Sequence, residues 1–506
     1  MGVWAFVGGG VESALGLGLF GWGGQLLLRP FAVSLPSSVR FGVRLSRAWF
    51  GEGFSCVFGE HPPKTARFGT INRASPARAQ YPTGKAMKRL HSNTMTRVGI
   101  VVGNFPLQSE TFIVRLVDLL GRVDEVQSTV LVCGGYDVTA FVRSARGHPS
   151  LQRVQVVALN TATSLPAKAV ALARTFVSAR GNALRALHAS APAVVGLSDR
   201  GRAARLVQLI ERYGPFDVLH AQFLTDARWL LPALRVGLLR RSRLLIASRG
   251  RDTTGPDSVG ALECLKLIMA EKDVVLTPVA RHLADTLIQR GIAAERIALV
   301  PSPIDTEAIP FVAPSRRGTG ALKMLFVGRL VEKKGVDQLL RIFPDIIQRH
   351  PHAGLTIVGD GPMRQALARL VTGANLSRQV EFAGPLQHDR VIDLMLRSHV
   401  TVVPSRQAAN GDSEGVPNVA KEAMAAGSIV VASNHGGLRN LIRDGVTGYS
   451  FEASRADLLR DAILRSIASQ QSWDLVACEA RKTVKAEYGY DQVRPGLLRA
   501  LGHLGS

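Results

Sequence analysis

The sequence predicts an α/β protein with two domains, whose parallel sheets face an interdomain cleft. From Arg97 onward, short apolar runs rich in β-branched residues alternate with helical segments, which is typical of parallel sheets covered by helices. The alternation pauses at a stretch rich in proline and glycine and then restarts, which indicates two domains joined by a linker. Because ligands bind at the carboxyl ends of parallel strands, we expect the ligand site in the cleft.

The predicted domains follow from these changes in composition. Residues 1–94 are rich in Gly, Ser, Pro and Arg, contain no Asp and show no sustained period. We interpret them as a basic leader that is disordered or a start-site artefact, with a genuine targeting or interaction arm as the alternative. The boundaries we predict are an N-terminal α/β domain at 95–305, a linker at 306–321, a C-terminal α/β domain at 322–485 and a C-terminal helix at 486–506. One alternative is that this helix crosses back to the N-terminal domain.

Each sheet is predicted from runs that read as buried strands. In the first domain these runs are residues 97–102, 129–133, 154–158, 218–220, 244–247, 274–276 and 297–300. In the second domain they are residues 323–327, 355–358, 380–382, 400–403 and 429–432.

Composition and charge limit the classes of partner. Of the 506 residues, 46% are hydrophobic and 20% are charged, as in a globular protein, and the net charge of +23 favours anionic partners. With 6% aromatic residues and no zinc-finger spacing, we expect no nucleic-acid partner, and favour phosphorylated substrates and an anionic membrane surface. Four widely spaced cysteines predict neither a disulfide framework nor a zinc site and fit a reducing cytosol. The sequence contains no uninterrupted apolar run long enough to span a membrane.

The segment PSRQAANGDSEGVPNVAKEAMAAG, residues 404–427, follows a predicted strand and opens a helix that Gly427 should end. Pro417 suits the first helical turn. The loop before it therefore lies at a helix N-terminus, where free N–H groups and the helix dipole attract phosphate. Glu414 and Glu422 flank that site. Because a carboxylate does not bind phosphate, the pair suggests a ligand with both phosphate and hydroxyl groups, such as a nucleotide-sugar.

A basic loop in the same domain, VGRLVEKKG, leaves a strand and enters a helix that begins near Val336. Gly328 opens this loop, and Arg329 and Lys334 can both project at the end of the strand. An Arg fork and a Lys point charge together suit a diphosphate. Considered in isolation, this loop fits a solvated basic loop as well as a binding site. Considered together with Glu414 and Glu422 of the same predicted domain, it favours a binding site.

Two further loops follow strands of the second domain. In VGDGPMR, Gly359 and Gly361 predict a tight turn that admits the nucleotide, or a plain strand–helix turn. Arg364 replaces the third glycine of a dinucleotide motif, so that motif is poorly supported. In VEFAGP, Phe382 and its neighbours offer backbone groups to a base, or form an ordinary strand end.

Polar residues also follow strands of the first domain. Ser109 is a fair N-cap for the next helix, either facing the cleft or only capping. A lone histidine at a strand end is more often packed than catalytic. The candidates for this wall of the cleft are Ser109, Glu110, Thr111, His220, Arg249 and Asp252.

Together these residues resemble the family 4 retaining glycosyltransferases, which have the GT-B fold, over residues 97–490. The most specific element is E-x7-E, here Glu414 to Glu422 within EGVPNVAKE. The loops VGRLVEKKG, VGDGPMR and VEFAGPL occur in the order of that family, and FPLQSETFI resembles its exopolysaccharide and colanic acid branch.

The resemblance implies two Rossmann-like domains, of which the first binds the acceptor and the second binds a nucleoside-diphosphate sugar. It implies that Arg329 and Lys334 neutralise the diphosphate, that Glu422 hydrogen-bonds the ribose and that Glu414 lies near the transferred sugar. The remaining donor-binding residues that it implies are Gly415, Val416, Pro417, Asn418, Gly328, Gly359, Gly361 and Phe382. No metal or other cofactor is expected, because the basic pair and the helix end stabilise the leaving diphosphate. Transfer retains configuration, by front-face displacement or a covalent intermediate, and we favour front-face displacement.

Three motifs depart from the family pattern. Where the family often has His-Gly-x-Asp, this chain has Arg249-Gly-Arg-Asp252. Pro303-Ile-Asp305 replaces the usual Gly-Ile/Val-Asp, and Arg439-Asn440 replaces Pro-Glu. These changes bear on the donor sugar and the acceptor, which therefore stay open.

We therefore predict a glycosyltransferase that moves a hexose to a polysaccharide or lipid-linked oligosaccharide in cell-envelope glycan synthesis. It is expected in the cytoplasm, peripheral on the inner face of the membrane, held to anionic lipid by its basic first domain. The alternatives are a nucleotide-sugar epimerase and a non-catalytic nucleotide-sugar-binding protein. The complete set of Arg329, Lys334 and two Glu argues against the latter.

Overall fold

The alternating strands and helices expected from the sequence form two parallel sheets. The computed structural model describes residues 4–9, 13–22, 25–33, 95–107, 110–159, 197–256, 258–318 and 320–502. The chain divides into two units, Met1–Lys88 and Arg89–Ser506.

The described part of the first unit is an antiparallel sheet. Its strands are β1 (Trp4–Gly9), β2 (Ser13–Trp22) and β3 (Gln25–Val33), in the order β1-β2-β3. These strands lie within the predicted basic leader, and the other residues of 1–94 lie outside the described part.

In the second unit, the first domain has a parallel sheet that is six-stranded within the described residues. Its order is β6-β5-β4-β7-β8-β9. The strands are β4 (Thr96–Val102), β5 (Val126–Val132), β6 (Gln155–Ala158), β7 (Val218–Ala221), β8 (Arg243–Ser248) and β9 (Val274–Pro278).

The strand predicted at 297–300 is wrong. The segment runs beside β9, and Ala298 N donates to Leu276 O at 2.8 Å, but the ladder stops at one parallel bridge, between Leu276 and Ile297. The apolar run is therefore too briefly paired to form a strand.

Helices cover both faces of this sheet because successive side chains of a strand point to opposite sides. Val98 and Ile100 of β4 belong to one core, whereas Val101 belongs to the other. The described helices are α1 (Thr111–Gly121), α2 (Val138–Gly147), α3 (Leu197–Tyr213), α4 (Ala227–Arg235), α5 (Arg251–Thr254), α6 (Ser258–Glu271) and α7 (Arg281–Gln289).

The second domain has another parallel sheet, also six-stranded among the described residues, in the order β12-β11-β10-β13-β14-β15. Its strands are β10 (Lys323–Val327), β11 (Gly354–Val358), β12 (Val380–Gly384), β13 (Val400–Val403), β14 (Ile429–Ser433) and β15 (Tyr449–Phe451). The five predicted strands are confirmed; β15 was missed because three residues are too few to show a period.

The helices of the second domain alternate with these strands. They are α8 (Val336–Arg349), α9 (Arg364–Gly373), α10 (His388–Arg397), α11 (Asn418–Ala426), α12 (Leu438–Leu441), α13 (Ala456–Ala468) and α14 (Trp473–Tyr488). Among the described helices, none is both long and apolar enough to cross a membrane.

The last helix, α15 (Tyr490–Leu501), crosses back to the first domain. Its Tyr490, Val493 and Leu497 are buried in the core that contains β4 and α1. The two passages of chain between the domains lie side by side, because Ile304 N donates to Tyr488 O at 2.9 Å.

Candidate active site

A cavity of about 780 Å³ lies between the two domains of the second unit. It is lined by loops that follow the carboxyl ends of strands in both sheets, as expected of parallel α/β domains. The predicted site residues that line it are Glu110, Thr111, Arg249, Asp252, Gly328, Arg329, Lys334, Gly359, Glu414, Gly415, Val416, Pro417, Asn418 and Glu422.

Three predicted residues lie elsewhere, and Ser109 falls outside the described residues. The ring of Phe382 is covered by the Arg364 guanidinium, 4.1 Å from the ring centre, and Leu386 and His388 line the cavity in its place. Gly361 packs against the backbone of the basic loop, where an added Cβ would lie 2.6 Å from Leu330 O.

His220 is buried away from this cavity. Burial, followed by the nearby Arg249 charge, lowers the pKa of its imidazole to about 3. His220 is therefore a neutral, packed histidine.

The helix end expected to bind phosphate lines the cavity. Helix α11 begins at Asn418, and Pro417 is its N-cap, so the expectation that Pro417 lies in the first turn is wrong by one position. The predicted helix end is confirmed: Gly427 follows α11 with φ of +83°, in the left-handed conformation that glycine adopts readily. In the first turn of α11, the N–H of Ala420 donates to Pro417 O at 3.1 Å. The N–H groups of Asn418 and Val419, which both line the cavity, have no earlier turn of helix to bond to.

Glu414 is held by two lysines. Its Oε1 lies 3.1 Å from Lys333 Nζ, and its Oε2 lies 3.2 Å from Lys334 Nζ. Lys333 Nζ also lies 2.9 Å from Asp412 Oδ1. Burial acts to raise the pKa of Glu414, but Lys334 and Lys333 outweigh it and lower the pKa to about 2. Glu414 is therefore ionised, and it pairs with the Lys334 ammonium, which we expected to neutralise the diphosphate together with Arg329.

Lys333 is a site residue that sequence reasoning missed. It is buried, whereas Arg329 on the same loop is exposed to the cavity. The signal was the doubled lysine of VEKKG, but a sequence does not show which of two adjacent lysines turns inward.

Glu422 contacts two partners that the sequence also left unassigned. Arg115 Nη2 donates to Glu422 Oε1, and His388 Nε2 lies 3.2 Å from the same oxygen. The Arg115 and His388 nitrogens are 2.8 Å apart. Although burial acts to raise the pKa of Glu422, Arg115 and then His388 hold it well below its usual range. Arg115 belongs to α1 of the first domain, so this ion pair joins the two domains.

On the opposite wall, Arg249 is engaged by its own domain. Its guanidinium donates to Gln222 O at 2.9 Å, to Gln222 Oε1 at 2.6 Å and to Ser302 Oγ at 3.0 Å. It lies 4.2 Å from the centre of the Phe112 ring. The Arg249 guanidinium therefore has a fixed position at the wall of the cavity.

Asp252 positions the loop that carries Arg249. Its carboxylate accepts from the N–H groups of Leu224 at 2.8 Å and of Arg249 and Gly250 at 2.9 Å each. Although Asp252 lines the cavity, its carboxylate is therefore already engaged by backbone N–H groups of its own domain.

Glu110 lies on the same wall, where burial raises the pKa of its carboxyl despite the nearby charges of Arg249 and Arg329. Helix α1 begins at Thr111 with Glu110 as its N-cap. Among the described residues, no group of three or more His, Cys, Asp or Glu is placed to hold a metal ion.

Comparison with known proteins agrees with this geometry. Residues 311–483, about a third of the chain, match the family model described as "Glycosyl transferases group 1". The chain is 26% identical over 260 residues to a GDP-mannose-dependent monoacylated alpha-(1-6)-phosphatidylinositol monomannoside mannosyltransferase of Corynebacterium glutamicum, covering 49% of this chain and 67% of that protein. It is 28% identical over 221 residues to the amylovoran biosynthesis glycosyltransferase AmsK of Erwinia amylovora, covering 44% and 54%.

A solved structure covers more of the chain. The crystal structure of Anabaena Alr3699/HepE in complex with UDP-glucose matches with a TM-score of 0.59 at 17% identity, over 81% of this chain and 100% of that one. Together with the two parallel sheets, this match shows the GT-B fold, and the predicted fold class is confirmed. The family match and the similar enzymes support the resemblance at the level of group 1 glycosyltransferases.

Proposed function

We propose that this chain is a retaining glycosyltransferase that moves a hexose from a nucleoside-diphosphate sugar to a polysaccharide or lipid-linked oligosaccharide. The observation that carries the proposal is the pair of ionised carboxylates, Glu414 and Glu422, on either side of the N-terminus of α11 within the interdomain cavity. Open amides attract phosphate and carboxylates accept from hydroxyl groups, so the arrangement suits a ligand that carries both.

In the proposed complex, the diphosphate lies at the start of α11 beside Arg329, whose guanidinium is exposed in the cavity. Glu422 accepts from the ribose, and Glu414 lies near the sugar. Lys333 and Lys334 both form ion pairs with Glu414. Both ammonium groups therefore contribute to the electrostatic potential of the site. A similar enzyme named as GDP-mannose-dependent and a similar structure solved with UDP-glucose make these two nucleotide-sugars the first donors to test.

The proposed reaction is a front-face displacement. The bond between the anomeric carbon and the β-phosphate oxygen breaks while the acceptor oxygen bonds to the same face of that carbon. A diphosphate oxygen takes the acceptor's proton. Arg329, the lysines and the α11 amides stabilise the charge on the leaving diphosphate, so the proposed chemistry uses no metal or other cofactor.

The proposed acceptor binds against the first domain, on the wall formed by Glu110, Thr111 and Arg249. A polysaccharide or lipid-linked acceptor fits synthesis of an exopolysaccharide or another cell-envelope glycan. The net charge of +23 supports a peripheral position on the anionic, cytoplasmic face of a membrane.

Replacing Glu414, Arg329 or Lys334 by alanine tests the proposal. Each variant should lower the release of UDP from UDP-glucose, or of GDP from GDP-mannose, by about a hundredfold, the usual loss when one stabilising group is removed. Arg390→Ala is the matched control, because its side chain is 71% exposed and does not line the cavity. Normal turnover in all three variants would show that the site is wrongly assigned.

The products separate the proposed transfer from the alternative activities. With donor alone, a transferase releases nucleoside diphosphate and free sugar, whereas an epimerase leaves a nucleotide-sugar with a different hexose. Tight nucleotide binding without any product would instead indicate a binding protein.

A further inference from the structure

We propose that Arg115 is a positioning residue that completes the ribose-binding site from the opposite domain, with His388 as its partner. The inference rests on the proposed function and deepens it. It assigns recognition of the ribose hydroxyls to Glu422, and positioning of that carboxylate to Arg115 of the first domain and His388 of the second domain.

The first step in the argument is the direction from which each side chain reaches Glu422. Glu422 and His388 line the cavity, whereas Arg115 is not among the residues that line it. Arg115 is only 2% exposed and therefore contacts the carboxylate from behind. A side chain that blocked the site would have to stand in the cavity, so this geometry favours support of Glu422 over obstruction.

The second step concerns the two oxygens of Glu422. Oε1 is bound by Arg115 and lies 3.2 Å from His388 Nε2. Within the described residues, hydrogen bonds of this carboxylate are made by Oε1 alone. With one oxygen fixed and the carboxyl kept ionised, Oε2 is left to accept from a ligand hydroxyl in a set direction.

The third step concerns the charge. A buried carboxylate without a cation tends to take up a proton, and it then becomes a poor acceptor for two hydroxyl groups. Arg115 supplies the permanent positive charge that prevents this protonation. Arg115 Nη1 is buried and has no hydrogen-bond partner among the described residues. Because a buried, unpaired donor is unfavourable for stability, this feature disfavours a purely stabilising role for the residue.

The consequence is that the ribose site exists in full only when the cleft is closed. Glu422 and His388 move with the second domain, and Arg115 moves with the first, because α1 belongs to that domain. A nucleotide that engages Glu422 therefore favours the arrangement that brings the domains together.

Calorimetric binding of nucleoside diphosphates tests the inference. The probes are UDP, GDP and ADP, followed by the 2′,3′-dideoxy form of whichever binds wild-type protein most tightly. Wild-type protein should lose about tenfold or more in affinity for the dideoxy form, since hydrogen bonds to a charged group are lost. Arg115→Met should reduce this ratio to less than about threefold while affinity for the dideoxy form changes little, and Arg115→Lys should restore part of the ratio.

Arg122→Met is the matched control, because Arg122 is the C-cap that directly follows α1 and pairs with Asp118 and Asp305 outside the cavity. It should keep the wild-type ratio. If Arg115→Met does not fold, His388→Ala decides, since that side chain is 39% exposed and is expected to tolerate truncation. A wild-type ratio in the folded variant, or equal weakening of both nucleotides, would overturn the inference. If no nucleoside diphosphate binds wild-type protein, the proposed function itself fails.

Discussion

Lys421 is a fully buried cation close to the boundary between the domains. Its Nζ donates to Ser302 O at 2.7 Å and lies 4.9 Å from the centre of the Tyr488 ring. Burial, and then repulsion by Arg115, lowers the pKa of Lys421 from 10.5 to about 7, although Glu422 acts in the opposite direction. Lys421 thus changes charge near neutral pH in the folded protein.

This shift predicts a dependence of stability on pH. Between pH 7 and 10.5 the unfolded chain holds a proton on Lys421 that the folded protein has lost, so the free energy of unfolding rises with pH across this window. Below pH 7 both states are protonated, and the contribution is constant. Across this window the Lys421 contribution should change the free energy of unfolding by a few kcal/mol, roughly 1.4 kcal/mol for each unit of pKa shift. Lys421→Met should remove this dependence on pH.

Urea unfolding at pH 6.5 and at pH 9.5 would measure this difference. Lys482→Met is the control, because the Lys482 side chain is 76% exposed and should leave the slope unchanged. Parallel stability curves for wild-type protein and Lys421→Met would contradict the prediction.

At the scale of elements, the loop before α5 approaches the Glu414 loop so closely that it requires glycine. Gly250 has φ of +130°, and an added Cβ would lie 2.8 Å from Ser413 O and 3.1 Å from Gly415 N, across the cleft. The absence of a side chain thus allows two loops from different domains to meet at the active site.

Gly250→Ala should therefore hold the domains apart. We expect about tenfold weaker binding of UDP-glucose or GDP-mannose and a loss of about 1–3 kcal/mol in stability from backbone strain. Binding calorimetry and thermal unfolding would measure the two effects. Gly373→Ala is the control, because an added Cβ there meets nothing within 4 Å. Unchanged binding in Gly250→Ala would show that the close approach is not needed.

The elements also show what the sequence could and could not predict. β10 and β13 were predicted with their observed bounds because central parallel strands are continuous apolar runs. Glu414 and Glu422 were found because a loop and the helix that follows it are local in sequence. Arg115 was missed because its contact with Glu422 joins residues 307 positions apart, and no local pattern reports such a pair.

At the scale of the whole molecule, α15 belongs in space to the domain at the other end of the chain. Leu497, Ala500 and Leu501 are buried in the first-domain core. Tyr490 also donates a hydrogen bond to Asp118 Oδ2 at 3.0 Å. The first domain is therefore complete only after the C-terminal helix has been added.

Truncation after Gly489 should destabilise the first domain, because each large apolar side chain lost from the core is worth about 1.5–3 kcal/mol. We expect a lower melting temperature and aggregation of the shortened protein, measured by thermal unfolding and size-exclusion chromatography. Truncation after Gly502, which keeps α15, is the control and should behave as wild type. A shortened protein with the wild-type melting temperature would show that α15 does not stabilise the core.

The hydrogen bond between Ile304 and Tyr488 has a mechanical consequence. Because the two chain passages are fixed next to each other, they form a hinge. The domains can rotate about this one axis more easily than they can slide or twist. Displacement in such a swing grows with distance from the axis. The contact of Lys421 with Ser302, only two residues from Ile304, should persist through the motion, while the distant rim of the cavity opens and closes.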